Sequence, residues 1–157
     1  MLEKLSDPGK VKLWAGSVPV RHRYTPGIAG EAFFRALKED GRLLASRCES
    51  CGITYCPARL FCERCFAELE PGVTVGPQGV LESFTVGYQG PDGERLNEPA
   101  MVGLVRLDGA DTVFVHFLVE VEEGALEIGR RVEAVFLPKQ ERTGSILDLQ
   151  GFRLLEP

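Results

Sequence analysis

The chain has 157 residues, 44% of them hydrophobic and 26% charged, with a formal net charge of −5; such a composition folds around a core, which excludes the disordered and low-complexity classes. No apolar run approaches the roughly 18 residues of a membrane span, and the start MLEKLSDPGKVKLW lacks the apolar stretch of a secretory leader, so a soluble cytoplasmic protein without a membrane partner is expected. Residues 1–78 carry 11 Lys and Arg against 9 Asp and Glu, and residues 79–157 carry 7 against 14; an acidic half of that size works against general binding of nucleic-acid phosphates.

Residues 1–27 are punctuated by Pro8, Gly9, Gly16, Pro19, Pro26 and Gly27, which predicts an irregular arm. Trp14, Val18, Val20 and Tyr24 give the arm apolar surface that a solvated linker does not need, so it should pack on the protein or on a partner. Arg21-His22-Arg23 reads equally as a solvated stretch or as a contact for phosphates or an acidic partner. A short amphipathic helix follows over 30–40, with Phe33, Phe34 and Leu37 at helical spacing, Glu31 in the first turn and Gly41 just past the end. Those three apolar side chains read as core.

Strands over 42–47 and 53–56 lead into and out of a first pair of cysteines, and a second pair follows Pro57 and Arg59. Cys48, Cys51, Cys62 and Cys65 are set out as C-x2-C-x10-C-x2-C. Each C-x2-C turn presents two thiolates to one point, and two such turns close a tetrahedral four-sulfur shell around a metal. A shell filled by protein sulfur has no position open for water or substrate, so structural Zn2+ is expected. Iron in a rubredoxin-like site accepts the same donors and is the rival metal. Disulfides are the minor alternative, because paired C-x2-C knuckles in a reducing compartment suit a metal better. A ribbon of this size has too little core to stand alone, and metal binding should supply much of its folding free energy.

The segment 72–79 (GVTVGPQG) reads as the passage into a β domain. Five runs then read as strands: 80–88, 101–107, 112–118, 131–137 and 151–155, with turn signals at Pro91 to Gly93, Asp108-Gly109 and Gly129 and one short helical turn within 119–128. Five strands with an insertion between the third and fourth are the plan of an OB-fold barrel. In the third strand Val113, Val115 and Phe117 make one face while Phe114 and Leu118 share the other with His116, so both faces should be covered. The expected fold is mainly β with a short N-terminal helix: a rubredoxin-like zinc ribbon followed by a five-stranded OB-fold barrel. The expected division is an arm and helix over 1–40, the ribbon over 41–71 and the OB-fold over 72–157.

Candidate reactive residues are few. A working cysteine nucleophile needs a base or a stabilising cation, and neither histidine, His22 or His116, is near Cys56 in sequence. Cys56 therefore reads as a small packed residue. His116, within the apolar run VFVHFLV, reads as a barrel-face histidine bonded to backbone or to a partner, with ligand contact as the alternative. Arg47, Arg59 and Arg64 crowd the ribbon, where they either offset the charge of the metal cluster or meet a diphosphate. Glu120, Glu122, Glu123 and Glu127 read as a solvated acidic face. Phosphate-loop, serine-hydrolase and zincin patterns do not occur, and no catalytic residue is assigned.

The run Tyr24-Thr25-Pro26-Gly27 with Gly30-Glu31-Ala32-Phe33-Phe34, the knuckle Cys48-Glu49-Ser50-Cys51-Gly52, Pro57, Arg59 and Phe61-Cys62-Glu63-Arg64-Cys65 resemble the zinc-ribbon plus OB-fold acyl-CoA-associated proteins. So do 79–85 (GVLESFT), Ile128-Gly129-Arg130-Arg131-Val132-Glu133 and the late segment 142–152. Cys56 departs from the apolar or aromatic residue that such proteins usually carry before the proline. The resemblance implies an accessory subunit of a thiolase-type enzyme, with an OB barrel that takes part in handling CoA or acyl-CoA and in holding the partner. The expected function is a non-catalytic subunit in a hetero-oligomer with a thiolase-fold enzyme, supporting acyl-CoA binding or thiolysis and condensation; the long arm and the loop 89–98 resemble the variant that serves one dedicated thiolase, and that resemblance implies aromatic-acid degradation. The alternative is a single-stranded nucleic-acid-binding ribbon and OB module. A thioesterase or transferase using Cys56 is a third reading.

Overall fold

The structure, a computed structural model, describes Gly9 and residues 24–155. The expected packing arm, with Trp14, Val18, Val20 and the Arg21-His22-Arg23 triplet, lies outside the described residues except for Gly9 and its last few positions.

Helix α1 spans Gly27–Asp40 and begins three residues before the sequence-based start, with Pro26 at its N-cap. A proline there is favourable, since its missing N–H belongs to the first turn, where no intrahelical acceptor exists. The helix ends at Gly41, whose N–H bonds the carbonyl of Leu37 at 3.0 Å. Ala29, Phe33, Ala36 and Leu37 form its buried face, the spacing of one apolar stripe.

Three strands follow as an antiparallel sheet in the order β2-β1-β3: β1 Leu43–Cys48, β2 Ile53–Tyr55 and β3 Pro71–Val75. Strand β3 occupies part of the segment read from its Gly and Pro content as a bare connection. Pro71 opens an edge strand, a place where the missing N–H breaks no ladder, and Val73 and Val75 then pair with Ala45 and Leu43 of β1.

The OB-fold sheet contains β4 Gln78–Gln89, β5 Arg95–Leu107, β6 Val113–Phe117, β7 Arg131–Phe136 and β8 Leu149–Leu154, in the order β6-β5-β4-β7-β8. All neighbours are antiparallel. These five are the expected strands, and the short helical turn between the third and fourth is the 3-10 turn Glu123–Ala125. The sheet curls but does not close into a full ladder. Its two ends meet through one parallel bridge, Leu118 with Phe152, and a bond from the Val119 N–H to the Phe152 carbonyl at 2.9 Å. Gly151 permits that approach, because a Cβ there would lie 2.5 Å from the Phe117 carbonyl oxygen.

The expected barrel is thus an open, curled sheet, and one hydrophobic cluster runs through helix, ribbon root and that sheet: Phe33 and Leu37 of α1, Leu43 and Leu44 of β1, and Leu81, Val105, Phe114 and Phe152 of the OB-fold sheet all belong to it. A smaller cluster of Cys48, Tyr55, Cys62 and Leu69 lies around the cysteines. The expectation that both faces of β6 are covered is corrected here. Phe114 and His116 are buried, but Val113, Val115 and Phe117 are 44%, 65% and 48% exposed. Strand β6 ends the sheet, and only its inner face meets the core, so the apolar content of both faces does not imply burial of both.

Candidate metal centre

Strand β1 delivers Cys48 at its last position, and the chain turns at once, with the Gly52 N–H bonded to the Cys48 carbonyl at 2.7 Å. Gly52 takes the left-handed conformation, φ +70°. The second knuckle repeats the construction: the Phe66 N–H bonds the Cys62 carbonyl at 2.9 Å, and Phe66 has φ 59°. The Cys62 N–H bonds the Ala67 carbonyl at 2.9 Å, and Phe61 bridges Glu68 in antiparallel fashion, so the second knuckle closes a small hairpin of its own.

The two knuckles face each other. The Sγ atoms of Cys48, Cys51, Cys62 and Cys65 all lie within 4.8 Å of one another, and those of Cys48 and Cys65 are 3.6 Å apart. Zinc-sulfur bonds of about 2.3 Å in a tetrahedron require sulfur separations of about 3.8 Å, so the donor set fits a zinc ion. Cys48 and Cys62 are buried, Cys51 half-buried and Cys65 exposed, which places the cluster under the tip of the ribbon.

Hydrogen bonding around the sulfurs is asymmetric. The Tyr55 hydroxyl, fully buried, donates to the Cys62 sulfur at 3.3 Å. That hydroxyl, aided by the backbone N–H of Cys65, pulls the Cys62 thiol down to about 6, while Tyr55 itself is pushed up to about 12 by the same bond and by burial. Cys51 goes the other way, up to about 12, chiefly through its hydrogen bond with Cys65 and then through burial. Four sulfurs this close cannot all be anionic without a cation among them.

The ribbon arginines divide. Arg59 lies over the Tyr55 ring at 5.0 Å and pairs with Glu63 at 2.8 Å. Arg47 donates to the Thr54 hydroxyl at 3.0 Å and reaches Glu49 at 3.8 Å. Arg64 is exposed and forms no ion pair with the described residues.

Cys56 is buried in the main cluster, with its sulfur 3.8 Å from the Leu44 carbonyl, and burial pushes its thiol up to about 12. His116 is also buried; its Nδ1 accepts the Phe117 N–H at 2.9 Å, and burial lowers its basicity against an opposing backbone bond to Ile146. Both are packed residues bonded to backbone.

Two features escaped the sequence. The turn after β5 clips the ribbon: the Asp111 carboxylate accepts the Thr54 N–H at 2.8 Å, and the Thr112 hydroxyl accepts the Cys56 N–H at 2.9 Å and donates to the Cys56 carbonyl at 3.0 Å. Partners more than fifty positions apart leave no local pattern. Asp148, buried, accepts the N–H groups of Thr143, Gly144 and Ser145 at 2.8, 2.7 and 3.3 Å; Ser145 followed three residues later by an acid is the capping-box pattern that would have revealed it.

A helix, a four-cysteine ribbon and a five-stranded OB-fold sheet define the class, a two-part ribbon and OB-fold protein whose four clustered cysteines could hold a metal ion. Family models agree in detail, since the ChsH2 rubredoxin-like zinc ribbon domain matches residues 35–70 and the ChsH2 C-terminal OB-fold domain matches residues 72–137. These two ChsH2 domain models follow each other along residues 35–137 and bear out the resemblance read from its motifs. A DUF35 domain-containing scaffold protein of Methanocaldococcus jannaschii is 26% identical over 104 residues, covering 66% of this chain and 73% of that protein. Among solved structures, a DUF35-family protein of unknown function from Sulfolobus solfataricus is 28% identical with a TM-score of 0.58, over 82% of this chain and 84% of its own. The Ltp2-ChsH2(DUF35) aldolase is 25% identical with a TM-score of 0.61, over 84% of this chain and 98% of the matched one. No helix among the described residues is long and apolar enough to cross a membrane.

Proposed function

We propose that this chain is a non-catalytic accessory subunit that binds a thiolase-fold enzyme and supports its handling of acyl-CoA. The observation that carries the reading is the fate of its reactive side chains. Cys56 and His116, the thiol outside the cluster and the imidazole among the described residues, are both buried and both bonded to backbone, so they offer no nucleophile and base facing a cleft. Cys48, Cys51, Cys62 and Cys65 would hold Zn2+ with no coordination position left for substrate. What such an ion supplies is a fixed shape for the ribbon. The scaffold name of the archaeal relative and the two-protein name of the aldolase support a partner, and CoA or acyl-CoA would then be shared with it. As a working division, helix α1 is followed by the ribbon over 41–71 and the OB-fold from 72, with β3 pairing back onto β1 across that boundary.

The test is to purify the chain alone and together with each thiolase-fold subunit of the same genome. Alone it should turn over no acyl-CoA thioester and should hold one colourless zinc per chain; together the two should co-elute, and the partner's thiolysis should fall when this chain is omitted. Turnover by the isolated chain, or a partner fully active and monodisperse without it, would overturn the reading. Red iron colour would overturn the metal assignment alone.

A further inference from the structure

We propose that the second knuckle is the surface by which this chain docks: Phe66 at its tip, with Phe61 and Arg64 beside it, enters an apolar socket edged by carboxylates on the thiolase-fold partner. The inference rests on the accessory-subunit reading above and names the contact within it.

The two knuckles make the same turn, and the residue after the second cysteine of each is left-handed. The first knuckle uses Gly52 there, the residue that conformation suits; the second uses Phe66, at φ 59°. A left-handed backbone is disfavoured for a side chain with a Cβ, and a bulky aromatic there is an outlier. Nothing in the turn needs the ring, because the bond to the Cys62 carbonyl comes from the backbone N–H, which glycine also supplies. Nor does the core need it, since Phe66 is 78% exposed. The turn uses the backbone of this position but not its ring, and a bulky side chain kept where glycine would sit without strain points to function.

The neighbours fit the same purpose. Phe61, 58% exposed, contributes backbone to its bridge with Glu68 and leaves its ring in solvent. Arg64 stands between the two rings in sequence and forms no ion pair with the described residues, whereas Arg59 is held by Glu63 and Arg47 reaches Glu49. Aromatic and arginine side chains dominate the energetics of protein interfaces, and a knuckle fixed by metal loses little freedom on binding. The free cation selects a socket with carboxylates at its edge. The exposed stripe Val113, Val115 and Phe117 on β6 lacks these marks: its residues sit in regular strand geometry, which β-branched and aromatic residues favour without any further role.

The experiment measures affinity between the full chain and the thiolase-fold subunit that co-elutes with it, with zinc content and melting temperature read on each variant. Phe66→Gly should keep its zinc and keep or raise its melting temperature while the Kd rises about tenfold, the loss expected on removing an interface anchor. Arg64→Glu should weaken binding by about the same factor, and Val115→Thr should leave it unchanged. Wild-type affinity in both knuckle variants would overturn the docking surface and leave the accessory-subunit reading standing. A fall in melting temperature or zinc in Phe66→Gly would make Phe66 a fold residue and also overturn it. Failure of the wild-type chain to form any complex would overturn both.

Discussion

Tyr55 ties the smaller core to the metal centre with a single bond. Its ring packs with Cys48, Cys62 and Leu69, and its hydroxyl donates to the Cys62 sulfur. Partners of this kind tune ligands, and their loss typically lowers metal affinity by about 10- to 100-fold. Tyr55→Phe keeps the ring and removes only the donor, so zinc should be lost about tenfold more readily to a competing chelator, with the fold preserved. Equal retention would show that the hydroxyl is mere packing. Asp148 offers a second test at this scale. Burial pushes its carboxyl up, but the N–H groups of Thr143, Gly144 and Ser145 outweigh it and hold the group below the usual 3.8. The folded value is depressed, so its contribution is fully present above 3.8 and is lost as pH falls from there through the folded value. Asp148→Asn turns a charged acceptor of several bonds into a neutral one and should cost about 1–3 kcal/mol at neutral pH. It should also flatten the acid limb of a stability profile against pH. An unchanged acid limb would show that the carboxylate is not what titrates there.

At the scale of elements, the turn after β5 joins the ribbon to the OB-fold sheet. Asp111 and Thr112 extend the backbone bonding of Thr54 and Cys56 in β2 and just beyond it. Thr112→Val has nearly the same shape but loses both bonds to Cys56, leaving a buried backbone N–H without its acceptor. The expected loss in a denaturant titration is about 1–3 kcal/mol, and a change smaller than a few tenths would mean that the clip is replaced by water. Helix α1 contributes to the same joint from the other side, with Phe33 packed 6.4 Å from the ring of Phe114 and edge-on to Phe34 at 5.5 Å. Its apolar spacing was readable in the sequence because a helix repeats within four residues. Strand β3 was not readable in the same way, since two glycines and a proline within 71–76 suggest a connection until β1 is present to pair with them.

Across the whole molecule the two clusters share strands. Leu43, Leu44 and Ala45 of β1 lie in the main core, and Cys48 at the end of the same strand lies in the metal cluster. Removing the metal should therefore lower the melting temperature of the whole chain in one cooperative transition. An OB-fold sheet melting separately at an unchanged temperature after chelation would contradict that coupling. Cys62→Ser should lose zinc and partner binding together; loss of partner activity with zinc and complex both intact would show that the centre is more than a fastening. The spacing of the four cysteines, the helix stripe and the strand runs with their turns were determined by the sequence alone, because ligand pairs, helical faces and turns are set within a few residues. The tertiary structure alone decided which face of β6 is covered, that Asp111 and Thr112 meet Thr54 and Cys56, that Cys56 and His116 are buried, and that Phe66 is left-handed and exposed. Those outcomes depend on which distant segments pack together, and burial belongs to that arrangement, beyond anything a residue's own polarity prescribes.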